Sequence, residues 1–217
     1  MSESFIQQQI YNGYGYAANV LGQLCTQYRS NGSGIPTAPG NSLGTINAAF
    51  TTDPKYGFIQ PLRYGKVEFF GLFNATGVNV GDYIVTPNAT QIFFVASLEP
   101  LVPPLCVLCN LMLTVSRPEG GTQAGSNPPS GDAQAIETTL LSGWPGAAVT
   151  GGRADAGQVE LPGDIRMGGW TVYLPVTPGV TLRGGDILTD ATGLRRIVSS
   201  AEPSARGWRM ICLQEAT

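Results

Sequence analysis

One segment occurs twice in this chain, about a hundred residues apart, and this duplication limits the folds open to it. The first copy reads Gly81-Asp82-Tyr83-Ile84-Val85, then Phe93-Phe94-Val95-Ala96-Ser97-Leu98-Glu99-Pro100, then Leu105-Cys106-Val107-Leu108-Cys109. The second reads Gly185-Asp186-Ile187-Leu188-Thr189, then Arg196-Ile197-Val198-Ser199-Ser200-Ala201-Glu202-Pro203, then Trp208-Arg209-Met210-Ile211-Cys212. One residue is lost between the first and second blocks, where a turn absorbs it. A Gly-Asp turn, a short apolar strand, a second strand ending in Ser-x-Glu-Pro and a third strand make a small antiparallel unit. Used twice, it predicts two related β modules, barrel- or sandwich-like.

The composition fits. Among 217 residues, 29 glycines and 16 prolines punctuate the chain, and only 12% of residues are charged. Helical bundles need charged outer faces, whereas a turn-rich β protein does not. With 42% apolar residues the chain can offset its conformational entropy by burial. Histidine is absent, which removes Ser-His-Asp and Cys-His catalysis, histidine metal sites and histidine pH switches. A net charge of −3 with scattered arginines gives no basic footprint for nucleic acid. Residues 1–9 lack the pattern of a signal peptide, and no run reaches the roughly 20 apolar residues of a membrane span. Four cysteines without an export signal predict free thiols in a reducing compartment.

A helix is expected over 2–24, capped by Ser2 or Ser4. Ile6, Ile10, Tyr14, Ala17 or Ala18, and Leu21 mark its apolar face, and Gly22 its stop. Gly13 and Gly15 each cost roughly 1 kcal/mol relative to alanine, which implies close packing against the helix. Residues 31–44 read as an extended loop, and Pro54 and Pro61 limit any long element in 45–66. Strands are expected at 67–70, 83–85, 92–97 and, as one run, 105–115. Residues 118–134 are nearly devoid of apolar side chains and read as a linker. Beyond them come a strand pair around Gly143-Trp144-Pro145-Gly146, a loop over 151–157, and strands at 158–161, 170–175, 186–189, 195–200 and 208–213. The expected organisation is therefore an N-terminal helical arm over 1–30, a first β module over 31–117, a linker or surface loop over 118–135 and a second β module over 136–217. Gly-Asp pairs at 81–82, 131–132, 163–164 and 185–186 read as turn chemistry.

Few constellations carry chemistry. Cys106 and Cys109 have metal-knuckle spacing, with Cys25 or Cys212 as further ligands. In an extended run, however, residues three apart face opposite ways, so buried apolar thiols are expected instead. Asp82, Glu99, Asp186 and Glu202 repeat as carboxylate pairs, but catalytic pairs need an apolar cleft, and these sit in turn sequences expected to be exposed. Residues 163–169 lack the Gly-Lys-Ser/Thr of a phosphate loop, and 186–193 lack the ligands of a calcium loop. No catalytic residue, metal site or cofactor is expected. Phe5, Tyr11, Tyr14, Tyr16 and Tyr28 crowd the N-terminal arm and are the candidate interface residues, because tyrosine combines apolar area with a polar tip.

These residues also resemble a known family. Ile10-Tyr11-Asn12-Gly13-Tyr14-Gly15-Tyr16-Ala17-Ala18 with Leu21-Gly22 is similar to the start of a group of tailed-bacteriophage virion proteins. Phe93 to Ser97, Pro100-Leu101, Leu105 to Asn110 and Arg117-Pro118 resemble the same group. So do Leu161 to Arg166, Leu174-Pro175, Gly179-Val180, Gly185 to Asp190, Ser200 to Glu202 and Gly207 to Arg209. The resemblance spans nearly the full length, with the linker as its main variable stretch. It implies a neck or collar component of the head-to-tail junction, without catalytic residues. The expectation is a homo-oligomeric ring, six- or twelve-fold, between portal or adaptor and tail proteins. Double-stranded DNA would pass nearby without specific binding, and no membrane is involved. The protein would be assembled in the bacterial cytoplasm and found in the virion. Two other readings are a carbohydrate-binding module of a tail tip or fibre, stacking sugars on Trp144, Trp170 or Trp208, and a carboxylate-dependent hydrolase.

Overall fold

The computed structural model describes residues 3–32, 34–52, 65–118, 137–150 and 169–214. The Gly-Asp pairs at 131–132 and 163–164, the Ser2 cap, Pro54 and Pro61, the loop over 151–157, the strand at 158–161 and the body of the linker lie outside them. The chain starts with helix α1 (Glu3–Leu21) and continues as twelve strands among the described residues. The first six are β1 (Gln23–Tyr28), β2 (Ser42–Thr51), β3 (Glu68–Leu72), β4 (Tyr83–Val85), β5 (Ile92–Ser97) and β6 (Leu105–Cys109). Then come β7 (Leu111–Pro118), β8 (Glu137–Thr150), β9 (Gly169–Leu174), β10 (Ile187–Asp190), β11 (Arg195–Ser204) and β12 (Gly207–Gln214).

They form two closed antiparallel barrels with one topology. The first runs β1-β2-β3-β6-β5-β4, and the second runs β7-β8-β9-β12-β11-β10. The mainly β fold with an N-terminal helix is thus as the sequence predicts, and the duplication reaches further than it shows. Gly81 N donates to Val95 O, and Val95 N to Asp82 O. Gly185 N donates to Val198 O, and Val198 N to Asp186 O. Both glycines need a positive φ (+92° and +90°), which a side chain would strain. Setting Val95 against Val198 brings all six strands into common register. Cys106 pairs with Val95 and Cys212 with Val198, so Cys106 matches Cys212. The sequence comparison had placed Cys109 there. It was displaced by three residues because 98–104 leave the first sheet as a loop, whereas β11 and β12 extend as a hairpin to Ser204 and Gly207. The lost residue lies in the turn before the second strand: six residues, 86–91, lie between Val85 and Ile92, and five, 190–194, lie between the matching Thr189 and Arg195.

Several boundaries differ from expectation. β1 falls within residues expected as the arm, because Gly22 ends the helix by donating its N–H to Ala18 O and the chain turns directly into the sheet. The expected single run at 105–115 is two strands belonging to different barrels. Asn110 divides them, its side chain donating to Ala148 O and accepting from Ala148 N, both at 2.8 Å. The second barrel therefore begins at Leu111 rather than after the linker, and Pro118 ends β7. The expected strand pair around Trp144 is one long strand, β8, in which Gly143 (φ +63°) bends the backbone where the register with β7 shifts. Glu202 and Pro203 continue β11 instead of ending it.

Side chains of β4, β5 and β6 alternate between two cores, as strand geometry requires. Ile84, Phe93, Val95 and Cys106 fill the first barrel with Cys25, Ala48 and Phe69. Tyr83, Phe94 and Val107 point the other way and join the core of the second barrel, with Leu113, Trp144, Val172 and Met210. Tyr83 is fully buried there, its ring edge-on to Trp144, and it donates a 2.8 Å hydrogen bond to Pro145 O. The second barrel's core thus extends onto the outward face of the first, whereas the first barrel's interior is a separate cluster.

Candidate assembly surfaces

The Gly-Asp turns build the same bonded cluster in each barrel. Asp82 is 1% exposed and Asp186 0%, which corrects the expectation that these carboxylates are exposed. A buried carboxylate must be paired, and each has an arginine that sequence reasoning missed. Arg29 donates from Nε and Nη2 to Asp82 at 2.7 and 2.8 Å, and from Nη2 to Gly77 O. Arg117 donates from Nε and Nη2 to Asp186 at 2.7 and 3.0 Å, and from Nη2 to Thr181 O. Each aspartate also accepts a backbone N–H from three residues before it, Asn79 or Arg183. The bidentate geometry raises both arginine pKa values further, chiefly through the aspartate hydrogen bonds. Arg29 follows β1 and Arg117 lies near the end of β7, so each pair ties its barrel's first strand to its fourth. The spacing of Arg29 and Arg117 from their aspartates, 53 and 69 residues, hides the relation in sequence.

The repeated glutamates do not join them. Glu99 is exposed and pairs with Arg206 at 2.8 Å, which lowers its pKa, and Glu202 lies 3.8 Å from Arg209. Each carboxylate therefore faces a cation rather than a second carboxylate. Cys106 and Cys109 point into different cores, as alternation predicts, and burial raises the pKa of both thiols. Cys212 is pushed up to about 12 by burial, and all four thiols are unpaired. Among the described residues no group of three or more His, Cys, Asp or Glu side chains is placed to hold a metal ion. The tryptophans form no exposed platform: Trp144 and Trp208 are buried, and Trp208 donates its ring N–H to Thr177. Trp170 lies under the Arg196 guanidinium at 4.7 Å.

The helix presents the largest departure from a sealed surface. It lies on β2 and β3 through a face rotated from the expected one. Tyr11 packs on the first barrel's core, Tyr14 is half-buried with its pKa raised by desolvation, and Ala18 is fully buried. Gly15 accounts for the close approach, since a Cβ there would stand 3.0 Å from Asn74 Cβ. Gly13 faces open space, so close packing does not explain it. Ile6 and Leu21, expected inside, are exposed. Phe5 (51% exposed), Tyr16 (76%) and Val20 join them on the outer side, and Leu24 follows in β1. Both sides of α1 carry apolar residues, with Gln8, Gln9, Asn12 and Asn19 among those of the open side, so periodicity alone gives a compromise direction. Tyr28 stands apart from the helix and packs against the second barrel's core. The structure therefore splits the expected interface set. Phe5 and Tyr16 face out, whereas Tyr11, Tyr14 and Tyr28 are partly spent on internal packing.

Comparison with protein-family models finds none that matches, and comparisons with curated proteins and with solved structures likewise find no match.

Proposed function

We propose that this protein is a structural virion component of a tailed phage, a head-to-tail joining or collar subunit that assembles into a homo-oligomeric ring around the DNA channel. The observation that carries the reading is the outer face of α1. That face interleaves exposed Phe5, Tyr16 and Val20 with Gln8, Gln9, Asn12 and Asn19, and aromatic and aliphatic side chains held open among polar ones are the composition of an interaction surface. Ring assembly would cover it with protein. The rest is consistent with a load-bearing part. Outward residues of the first barrel complete the second barrel's core, buried ion pairs close each barrel, and the repeated carboxylates are neutralised by arginines instead of being poised for proton transfer. The sequence resemblance to neck proteins supplies the location. The acidic balance of the chain suits a conduit that DNA passes without adhering. Portal or adaptor proteins on one side and tail proteins on the other are the proposed neighbours.

The test is quantitative mass spectrometry of purified virions, counting this chain against the portal protein. A ratio near one, or near one half, is expected for a ring matched to the portal. A much higher ratio would move the protein to the tail tube or the head surface, and absence from the particle would end the structural reading.

A further inference from the structure

We infer that two copies of this chain pair through the open face of α1, their helices crossing antiparallel about a two-fold axis at Gly13. The inference goes beyond the ring reading. A two-fold contact closes on two copies, so it describes the free chain, and in a ring the same face would pass to a neighbour.

Alternate steps of three and four along α1 from Ile6 reach Gln9, Gly13, Tyr16 and Val20. This is the spacing of a seam between two helices. It runs opposite the packed face of Tyr11, Tyr14 and Ala18, and all five of its residues are exposed. Gly13 is the midpoint, and a side chain there would meet nothing within the described chain. Alanine would suit the helix better, so the glycine has no use inside one copy. It has one where two helices cross, because a missing side chain lets the backbones approach. An antiparallel partner sharing that midpoint sets Ile6 against Val20 and Gln9 beside Tyr16, in both directions, as a two-fold contact requires. The ring of Tyr16, at 76% the most exposed of the large apolar side chains, then covers the opening at the partner's Gly13.

Charge decides what the partner is. Although 12% of the chain's residues are charged, Arg29 is the one charged residue between Ser4 and Thr52, and Asp82 holds it. That stretch supplies the seam together with β1 and β2, so the seam lies in a wall without unpaired charge. Such a face offers nothing to nucleic acid or to an oppositely charged protein, and it meets its own copy without like-charge repulsion. Leu24 extends the apolar end of the seam beyond Val20. Its pairing partner in β2, Asn47, donates to Asn19 of the helix at 2.7 Å, and its own side chain is exposed.

Sedimentation of the unmodified chain should give twice the mass of one copy, 22.8 kDa. Gly13→Ala should raise the unfolding temperature in dilute, single-copy solution, since alanine favours the helix. The same variant should weaken the pair about tenfold or more, since two methyl groups then meet at the crossing. Opposite signs on folding and pairing are not expected of a glycine with a purely internal role. Cross-linking reads the register. Ile6→Cys mixed with Val20→Cys should link on mild oxidation, whereas Ile6→Cys alone should not, its two copies standing about 20 Å apart. The unmodified chain, whose thiols are buried or half-buried, is the control. Three results would overturn the inference: a mass other than that of two copies, a Gly13→Ala variant that pairs as tightly as before, or Ile6→Cys that links to Val20→Cys no more readily than to itself. The virion copy number tests the ring reading separately.

Discussion

Removing the carboxylate of Asp82 tests whether the Gly-Asp turns hold the barrels closed. In Asp82→Ala four hydrogen bonds vanish: from Gln27 Nε2 (2.7 Å), Arg29 Nε (2.7 Å), Arg29 Nη2 (2.8 Å) and the backbone N–H of Asn79 (2.8 Å). Breaking a buried ion pair by deleting one partner costs about 3–5 kcal/mol. The arginine side chain is 39% exposed and can rehydrate, which favours the low end, about 3 kcal/mol. With a urea slope of about 2 kcal/mol/M, the unfolding midpoint should fall by roughly 1.5 M. Two probes should be followed together. All three tryptophans lie in the second barrel, so their fluorescence reports on it, while far-ultraviolet circular dichroism reports on both. Because Tyr83, Phe94 and Val107 of the first barrel complete the second barrel's core, the tryptophan signal should move with the dichroism, although the mutation sits in the first barrel. Glu202→Ala is the control, since its exposed 3.8 Å pair with Arg209 should contribute less than about 1 kcal/mol. A midpoint change in Asp82→Ala no larger than in this control would refute the closure role. A shift in dichroism without one in fluorescence would refute the coupling.

Tyr83→Phe keeps the ring but leaves Pro145 O without its donor. It should cost about 1–2 kcal/mol and begin to separate the transitions of the two barrels in the same urea experiment. Asp190 gives a pH dependence of known sign. Burial raises its pKa, but hydrogen bonds from Thr192, Arg196 and the N–H of Leu194 outweigh burial and hold it at about 2, below the ordinary 3.8. A depressed folded-state pKa stabilises above the unfolded value and is lost as pH falls through the folded one. The unmodified chain should therefore lose stability relative to Asp190→Asn between about pH 4 and pH 2, and parallel pH profiles would count against it.

The repeat was legible where it is contiguous. Glycine with a positive φ leaves a local signature, and so does an alternating strand such as Ile92–Ser97. Long-range partners leave none, which is why Asp82 and Asp186 looked like exposed turn residues until Arg29 and Arg117 were seen across the barrel. β1 and β2 were passed over because QLCTQY and the start of SLGTINAAFT carry little alternation. Their pairing with each other, with β4 and with β3 defines them better than their composition. The boundary at Asn110 was hidden because β6 and β7 read as one apolar run, although each strand serves a different barrel. Among the candidate interface residues, exposed Phe5 and Tyr16 could not be told from packed Tyr11, since α1 carries apolar residues on both its packed and its open sides.

The two barrels fill their interiors with different chemistry on the same backbone register. Phe93, stacked on Phe50 and edge-on to Phe69 inside the first barrel, is replaced by Arg196 at the matching position. Its charge is held by Asp190 at 2.9 Å and by the ring of Trp170, which stands where Phe69 does. Thr86 in the first barrel matches Asp190 in the second, so ring, cation and carboxylate form one coordinated exchange. An interior therefore tolerated a wholesale change of chemistry once cation and carboxylate were paired, although Arg196 Nε is left without a hydrogen-bond partner. The outward positions of β4, β5 and β6 changed too: Phe94, Leu105 and Val107 match Ile197, Ile211 and Leu213, but Val85, Ile92 and Ala96 match Thr189, Arg195 and Ser199. Arg195 reaches Glu137 on β8 at 2.6 Å, so the face that covers a neighbouring barrel in the first module carries an ion pair in the second. The repeat therefore preserved backbone register and the Gly-Asp turns, while the side chains on either face of the strands were free to change wherever new partners were found.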